Sequence, residues 1–265
     1  MVFRRLSTIA LPVAFALAGL AGCGSGAPAT SASSAAASAG GGAGEVTVFA
    51  AASLTGTFTE LGKSFESAHP GTTVRFNFGS SATLAQQIVQ GAPADVFAAA
   101  SPATMKTVTD ASLAGAPATF VRNKLQIAVP AANPAKVDEL KDLADPAVKV
   151  ALCAEQVPCG AAAVKALGAA GLKVTPVTLE QDVKATLTKV QLGEVDAALV
   201  YRTDVIASGG KVTGIDFPEA AQAINDYPIA ALTKAPAGDL AKQFVDLVLS
   251  QQGKDVLAKA GFEAP

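Results

Sequence analysis

Twice within residues 46–101, an apolar run enters a turn of small residues, the turn ends in serine, and a helical spacing begins. The runs are residues 46–51 and 73–78; the serines are Ser53 and the neighbours Ser80 and Ser81. Repeated strand-to-helix units leave few folds open. They predict a largely parallel sheet with helices on both faces. In such a sheet the turns gather beyond the carboxyl ends of the strands. A hydroxyl at a helix start lies beside backbone N–H groups that have no carbonyl partner in their own helix. Two such turns make a seat for a small oxyanion without a cationic side chain. Each serine taken alone is also an ordinary helix cap.

The alternation runs on to the end of the chain. Leu54, Phe58, Leu61 and Phe65 fall on one helical stripe, which His69, Pro70 and Gly71 end. Val74, Phe76 and Phe78 alternate with polar residues, as in a strand; Leu84 and Ile88 mark a short helix stopped at residues 91–93. Further strands are expected at 95–100, 125–129, 149–152, 195–201 and 228–232. Further helices are expected near 102–112, 160–170, 183–192 and 240–249. The fold class is therefore α/β, with mixed, mostly parallel sheets. The roughly 220 residues of this segment suffice for one large domain or two lobes, and the pattern alone allows either.

The chain opens with an address. Arg4 and Arg5 precede an apolar run, residues 6–20, broken by Pro12 and too short for a comfortable membrane span. Residues 1–22 have the plan of a secretory signal. Leu20-Ala21-Gly22-Cys23 resembles the lipobox of bacterial lipoproteins, which implies that Cys23 is lipidated; the alternative is an ordinary signal with an incidental cysteine. Residues 24–44 contain only Gly, Ser, Ala, Pro and Thr. Such a segment cannot bury a core and reads as a tether with a reach of roughly 25 Å. Residues 23–44 are thus expected to form the anchor and tether of an extracytoplasmic domain bound to the membrane through lipid.

Export bears on the other two cysteines. Cys153 and Cys159 are an even pair in an oxidising compartment, and a disulfide between them is expected, with two buried free thiols as the alternative. Their spacing does not suit zinc, and the chain has one histidine, His69. Without residues 1–22, 18 basic residues face 22 acidic ones, about −4, which disfavours nucleic acid as a partner. Tryptophan is absent and aromatics are few, which argues against a ring-stacking cleft.

Five segments then occur in one order: VFAAASL at 48–54, SSATLAQQIVQGAPADVF at 80–97, QVPCG at 156–160, DV at 182–183 and ALVYRTD at 198–204. Together they resemble the periplasmic molybdate-binding proteins of ABC-type importers, over nearly all of residues 45–265. The resemblance implies a two-lobed, hinge-bending periplasmic-binding-protein fold. Lobe 1 would comprise residues 45–124 plus 230–265 and lobe 2 residues 125–229. The chain would cross near 123–131 and return near 226–232. The resemblance also implies a tetrahedral dianion, molybdate or tungstate, as transported ligand, no other cofactor, an ABC permease as partner, and action as a monomer. Carried over by motif, Ser53 and Ser81 would donate hydroxyl and backbone N–H groups from the first lobe. Cys159, where the family often has alanine, and Val183 would donate backbone N–H groups from the second, and Tyr201 its phenol.

A fully deprotonated oxyanion carries only acceptors, so an all-donor site satisfies it, whereas a protonated ligand needs an acceptor as well. This favours molybdate, tungstate or sulfate over protonated phosphate. The alternatives are a sulfate-type oxyanion-binding lipoprotein and a secreted serine hydrolase. The hydrolase needs a base, and His69 lies beside the helix-ending Pro70; no GxSxG or SxxK motif surrounds Ser53 or Ser81. Tyr227 rivals Tyr201 but falls at the expected return. Arg122, Lys124 and Arg202 read as members of a solvated face.

Overall fold

The apolar run after Gly44 becomes β1 (Glu45–Ala51), which pairs in parallel with β2 (Thr73–Gly79) along its whole length. A computed structural model describes residues 44–265; the expected signal segment, the lipidation site Cys23 and the tether up to residue 43 lie outside the described residues. Between the two strands runs α1 (Thr55–Ala68). Its stripe fixes it: Phe58, Leu61 and Phe65 are buried along with Leu54, and Phe58 and Phe65 meet Phe244 edge-on at 5.9 and 5.5 Å. The lobe continues through α2 (Ser81–Val89), β3 (Val96–Ala98), α3 (Pro102–Asp110) and β4 (Ala118–Asn123).

After Lys124 alone, the chain enters a second sheet. Its elements are β5 (Leu125–Pro130), β6 (Val150–Cys153), α4 (Pro158–Ala169), β7 (Thr178–Glu180), α5 (Val183–Gln191), β8 (Ala197–Tyr201), α6 (Arg202–Ala207) and β9 (Val212–Ile215). The chain then returns to the first sheet as β10 (Asn225–Ala231) and ends in α7 (Gly238–Leu249) and α8 (Gln251–Lys259).

The two sheets have one plan. The orders are β2-β1-β3-β10-β4 and β7-β6-β8-β5-β9. In each, two pairings are parallel and two antiparallel, the antiparallel ones involving the strand that has crossed or returned. The result is a two-lobed α/β fold with mixed sheets. The first sheet carries a core on each face, one around Phe58 and Phe244 and one around Phe97 and Met105. The second lobe has a continuous core of small and β-branched residues.

The expected return at 229/230 needs correction. It falls inside β10, where Asn225 already pairs with Asn123 of β4 and Ile229 with Ala98 of β3. Residues 225–229 belong to the first sheet. The apolar pattern begins only at Pro228, because the strand's first residues, Asn225 and Asp226, are polar. Among the described residues, no helix is long and apolar enough to cross a membrane.

Candidate functional site

Five chain turns converge where the lobes meet. Ser53 lies in the 3-10 turn Ala52–Leu54 that follows β1, and Ser81 opens α2 after β2. Cys159 is in the first turn of α4 after β6, Val183 opens α5 after β7, and Tyr201 ends β8. All five border one small cavity of about 20 Å³. Both lobes line it, and all five residues are buried.

Backbone geometry makes this a ring of donors. The first N–H groups of a helix have no intrahelical carbonyl to bond. Ser53, Ser81, Cys159 and Val183 all stand at such positions, so four helical starts aim N–H groups at one place. In α4, Pro158 at the helix start carries no N–H, which makes Cys159 the first donor of that helix. In α5, the Asp182 carboxylate accepts from Lys184 N (2.8 Å) and Ala185 N (3.0 Å). That cap commits the acidic group that lines the cavity and leaves the Val183 N–H free of it.

The second-lobe turn at Cys159 is held tightly. Cys153, at the end of β6, and Cys159 form a disulfide, with Cα atoms 5.7 Å apart. Next to it, a Cβ on Gly160 would come 1.9 Å from the Ala154 carbonyl oxygen. Only glycine lets α4 start so close to the end of β6.

The hydroxyls have defined neighbours. Ser81 Oγ accepts from Ala100 N at 3.0 Å. Ser53 Oγ is 2.9 Å from Tyr227 Oη, which stands behind the serine rather than on the cavity. Tyr201 Oη accepts from Asn225 Nδ2 at 2.8 Å, a bond that joins the lobes. A second bond between the lobes runs from Asn123 Nδ2 to Thr203 Oγ1, 2.8 Å. Burial holds both phenols above the usual tyrosine range, Tyr201 well above it, so both stay protonated. Ser80 Oγ is buried, borders the cavity and has no hydrogen-bond partner among the described residues.

Among the described residues, no lysine or arginine lines the cavity. Asp204, in the helix that follows Tyr201, is fully enclosed, with Lys184 Nζ 3.0 Å from Oδ1 as an ion pair, although among the described residues neither carboxylate oxygen has a hydrogen-bond partner of good geometry. Burial raises the Asp204 carboxyl and Lys184 opposes the shift. The pair links the starts of α5 and α6. Arg122 pairs with Asp226 and Lys124 with Glu263, both part-exposed and away from the cavity, as a solvated face requires. His69 stacks on Phe65, and its ring nitrogens meet the Phe65 carbonyl and Gln243, each at 2.8 Å.

The five residues named from sequence thus come together. Sequence reasoning did not find Ala100, Asn123, Asn225 or the place of Tyr227 behind Ser53. An asparagine ahead of Asp-Tyr-Pro carries no signal of its own; only the return of β10 to the first sheet puts it against Tyr201. The pairing of Ser80 with Ser81 was visible, but not that both hydroxyls would be buried at the cavity.

Residues 46–263 match the family model described as bacterial extracellular solute-binding protein. The molybdate-binding protein ModA of Mycobacterium tuberculosis is 42% identical over 253 residues, 95% of each chain. The periplasmic molybdate-binding protein of Azotobacter vinelandii superposes with a TM-score of 0.72 at 23% identity, over 83% of this chain and 99% of that one. The sulfate-binding protein SubI of M. tuberculosis gives 0.69 at 18% identity, over 83% and 86%. The fold is therefore shared by proteins named for different oxyanions, and the fold alone does not choose between them.

Proposed function

For this chain, which belongs to the bacterial extracellular solute-binding protein family, we propose capture of molybdate or tungstate between the lobes and delivery to an ABC permease. The observation that carries the reading is the donor ring: Ser53, Ser81, Cys159, Val183 and Tyr201, from five separate turns, border one small cavity that no cationic side chain among the described residues lines. Helix starts and neutral hydroxyls stabilise a dianion through local dipoles, without a counter-ion. A smaller tetrahedral anion leaves some of these buried donors unpaired, at a cost of about 1–3 kcal/mol each. Size then separates molybdate and tungstate from sulfate, and the identity with ModA supports that assignment over the sulfate reading.

The protein is read as a carrier, not an enzyme, and as working as a monomer. The crossings at Lys124 and just before Asn225 are the places where the lobes hinge apart to admit and release the ion. Cys23 anchors the chain to the outer face of the cell membrane, and residues 24–44 let the domain reach the permease.

A thermal-unfolding series with molybdate, tungstate, sulfate, phosphate and no ligand tests the reading. Ligand at a hundred times its Kd stabilises the native state by roughly 2.7 kcal/mol. In a chain of this size that raises Tm by roughly 5–11 °C. Shifts with molybdate and tungstate are expected. A shift with sulfate instead changes the cargo, and no shift with any oxyanion overturns the reading.

A further inference from the structure

Ala100, just after β3, governs one cavity hydroxyl in each lobe. Its N–H donates to Ser81 Oγ at 3.0 Å, which leaves the Ser81 proton for the cavity. Its carbonyl is 2.7 Å from the amide of Asn225. A carbonyl only accepts, so the Asn225 atom facing it is the nitrogen. This settles the amide orientation, which the Tyr201 contact alone leaves open because a phenol both donates and accepts. The same Nδ2, 2.8 Å from Tyr201 Oη, has two hydrogens and nothing with which to accept. Tyr201 must therefore accept from Asn225, and its own proton is turned away from the amide. The one protein group that competes for that proton is the Tyr227 hydroxyl, whose ring packs edge-on against Tyr201 at 6.1 Å and which already meets Ser53 Oγ at 2.9 Å and Asn123 Nδ2 at 3.5 Å. The other direction open to it is the cavity, which Tyr201 borders and Tyr227 does not.

We infer that Asn225 is a specificity-determining positioning residue: by donating to Tyr201 it makes the phenol present hydrogen, not a lone pair, to the ion. The inference rests on the oxyanion-receptor reading. The site thereby accepts an anion whose oxygens are all bare and disfavours one that carries a hydroxyl. An anion O–H placed against Tyr201 meets another hydrogen, and a buried donor without an acceptor is costly. Asn225 achieves this from the first sheet while Tyr201 belongs to the second, so the polarity is complete only when the lobes are together.

The test is Asn225→Asp in the otherwise unaltered chain, which exchanges a donor for an acceptor at nearly constant shape. In either protonation state the carboxyl offers Tyr201 an oxygen, and the phenol proton turns toward it. Kd is measured for molybdate and for hydrogen phosphate at mildly alkaline pH, where both are dianions and any added charge repels both alike. The preference for molybdate over hydrogen phosphate is expected to fall roughly tenfold or more, equivalent to about 1.4 kcal/mol. An unchanged ratio, even with both affinities weakened, overturns the inference, because a merely structural asparagine weakens both equally. Failure of the unmutated chain to bind molybdate overturns the underlying reading instead.

Should Asn225→Asp not fold, Tyr227→Phe leaves Tyr201 as the sole tyrosine and removes the competing hydroxyl, so the acceptor role toward Asn225 is read by itself. The tyrosine Raman doublet then reports that phenol alone. A phenol that accepts, and that gains a strong donor bond when molybdate is added, is expected. A phenol that donates without accepting overturns the inference.

Discussion

The two lobes share one five-strand plan but supply the cavity differently. The first lobe presents serine hydroxyls on two strand-to-helix turns; the second presents backbone N–H groups of Cys159 and Val183 and a single phenol, Tyr201. A hydroxyl donor is written in the residue type. A backbone donor is written only in the position, because any residue but proline supplies the N–H. The second lobe can therefore carry a cysteine or a valine at the cavity without losing a donor, provided the turn is held. Asp182 caps one such turn, and the disulfide with Gly160 holds the other.

The strongest way to break this contrast is Val183→Pro. Proline is well tolerated at the first position of a helix, and Asp182, at φ −156° and ψ 170°, already has the extended backbone that precedes proline. The substitution removes one N–H and exchanges a buried branched side chain for a ring of similar size. Molybdate affinity is expected to fall roughly 10- to 100-fold, the worth of a hydrogen bond to a charged group, with helix content unchanged by circular dichroism. Val183→Ala, by contrast, keeps the N–H. It should leave affinity within about twofold while costing stability through the lost buried methyls. Equal affinity losses in the two variants would contradict a backbone donor.

Next in size is the disulfide. Cys153→Ala with Cys159→Ala releases a short loop and is expected to lower stability by about 2 kcal/mol in denaturant titration. Its effect on affinity should be the smaller one, since Pro158 and Gly160 still shape the turn. A loss of binding without a loss of stability would move the disulfide from holding the turn to contacting the ion.

For the first lobe, Ser53→Ala and Ser81→Ala each remove a hydroxyl but keep the backbone N–H. Each is expected to weaken molybdate binding by about tenfold in calorimetry. Ser81→Ala should also reduce stability, because it strands the buried Ala100 N–H; Ser53→Ala leaves only the Tyr227 hydroxyl to repair. Identical stability losses would remove the distinction between the serines.

The smallest effect at neutral pH is the titration of the phenols. Folded Tyr201 and Tyr227 bind their protons more tightly than free tyrosine at 10.0. The unfolded chain therefore loses protons first as pH rises through 10; the stability from the protonated phenols is fully present below that and is lost from there upward. Tyrosinate absorbance is expected to rise only together with alkaline unfolding. Ionisation of either phenol in the folded state near pH 10.0 would contradict its burial.

How much of this was legible depends on how each element is stabilised. β6 and β8 are continuous apolar runs, and β1 and β5 are apolar but for Glu45 and Thr47 in the one and Gln126 in the other; all four are buried almost throughout, and the sequence shows them directly. β4, β7 and β9 are edge strands with exposed positions, and β7 and β9 are also short, so no pattern marks them. α8 buries only Gly253 and Leu257 and looks polar along its length. The balance of parallel and antiparallel pairing was hidden for the same reason: β4 and β9, which carry part of the antiparallel half of each sheet, are among the strands the pattern does not mark.

The sequence by itself determined the βα units, the serine turns and the order of motifs that places Ser53, Ser81, Cys159, Val183 and Tyr201 at helix starts or a strand end. Those are local properties, set by hydrophobic period and turn chemistry within a few residues. Only the tertiary structure decided what stands behind the donors. Ala100, Asn123, Asn225 and Tyr227 reach the site through contacts that span 19 to 174 residues of chain. Which way a hydroxyl turns its proton depends on the partner that such distant pairing brings against it, and no local pattern encodes that partner.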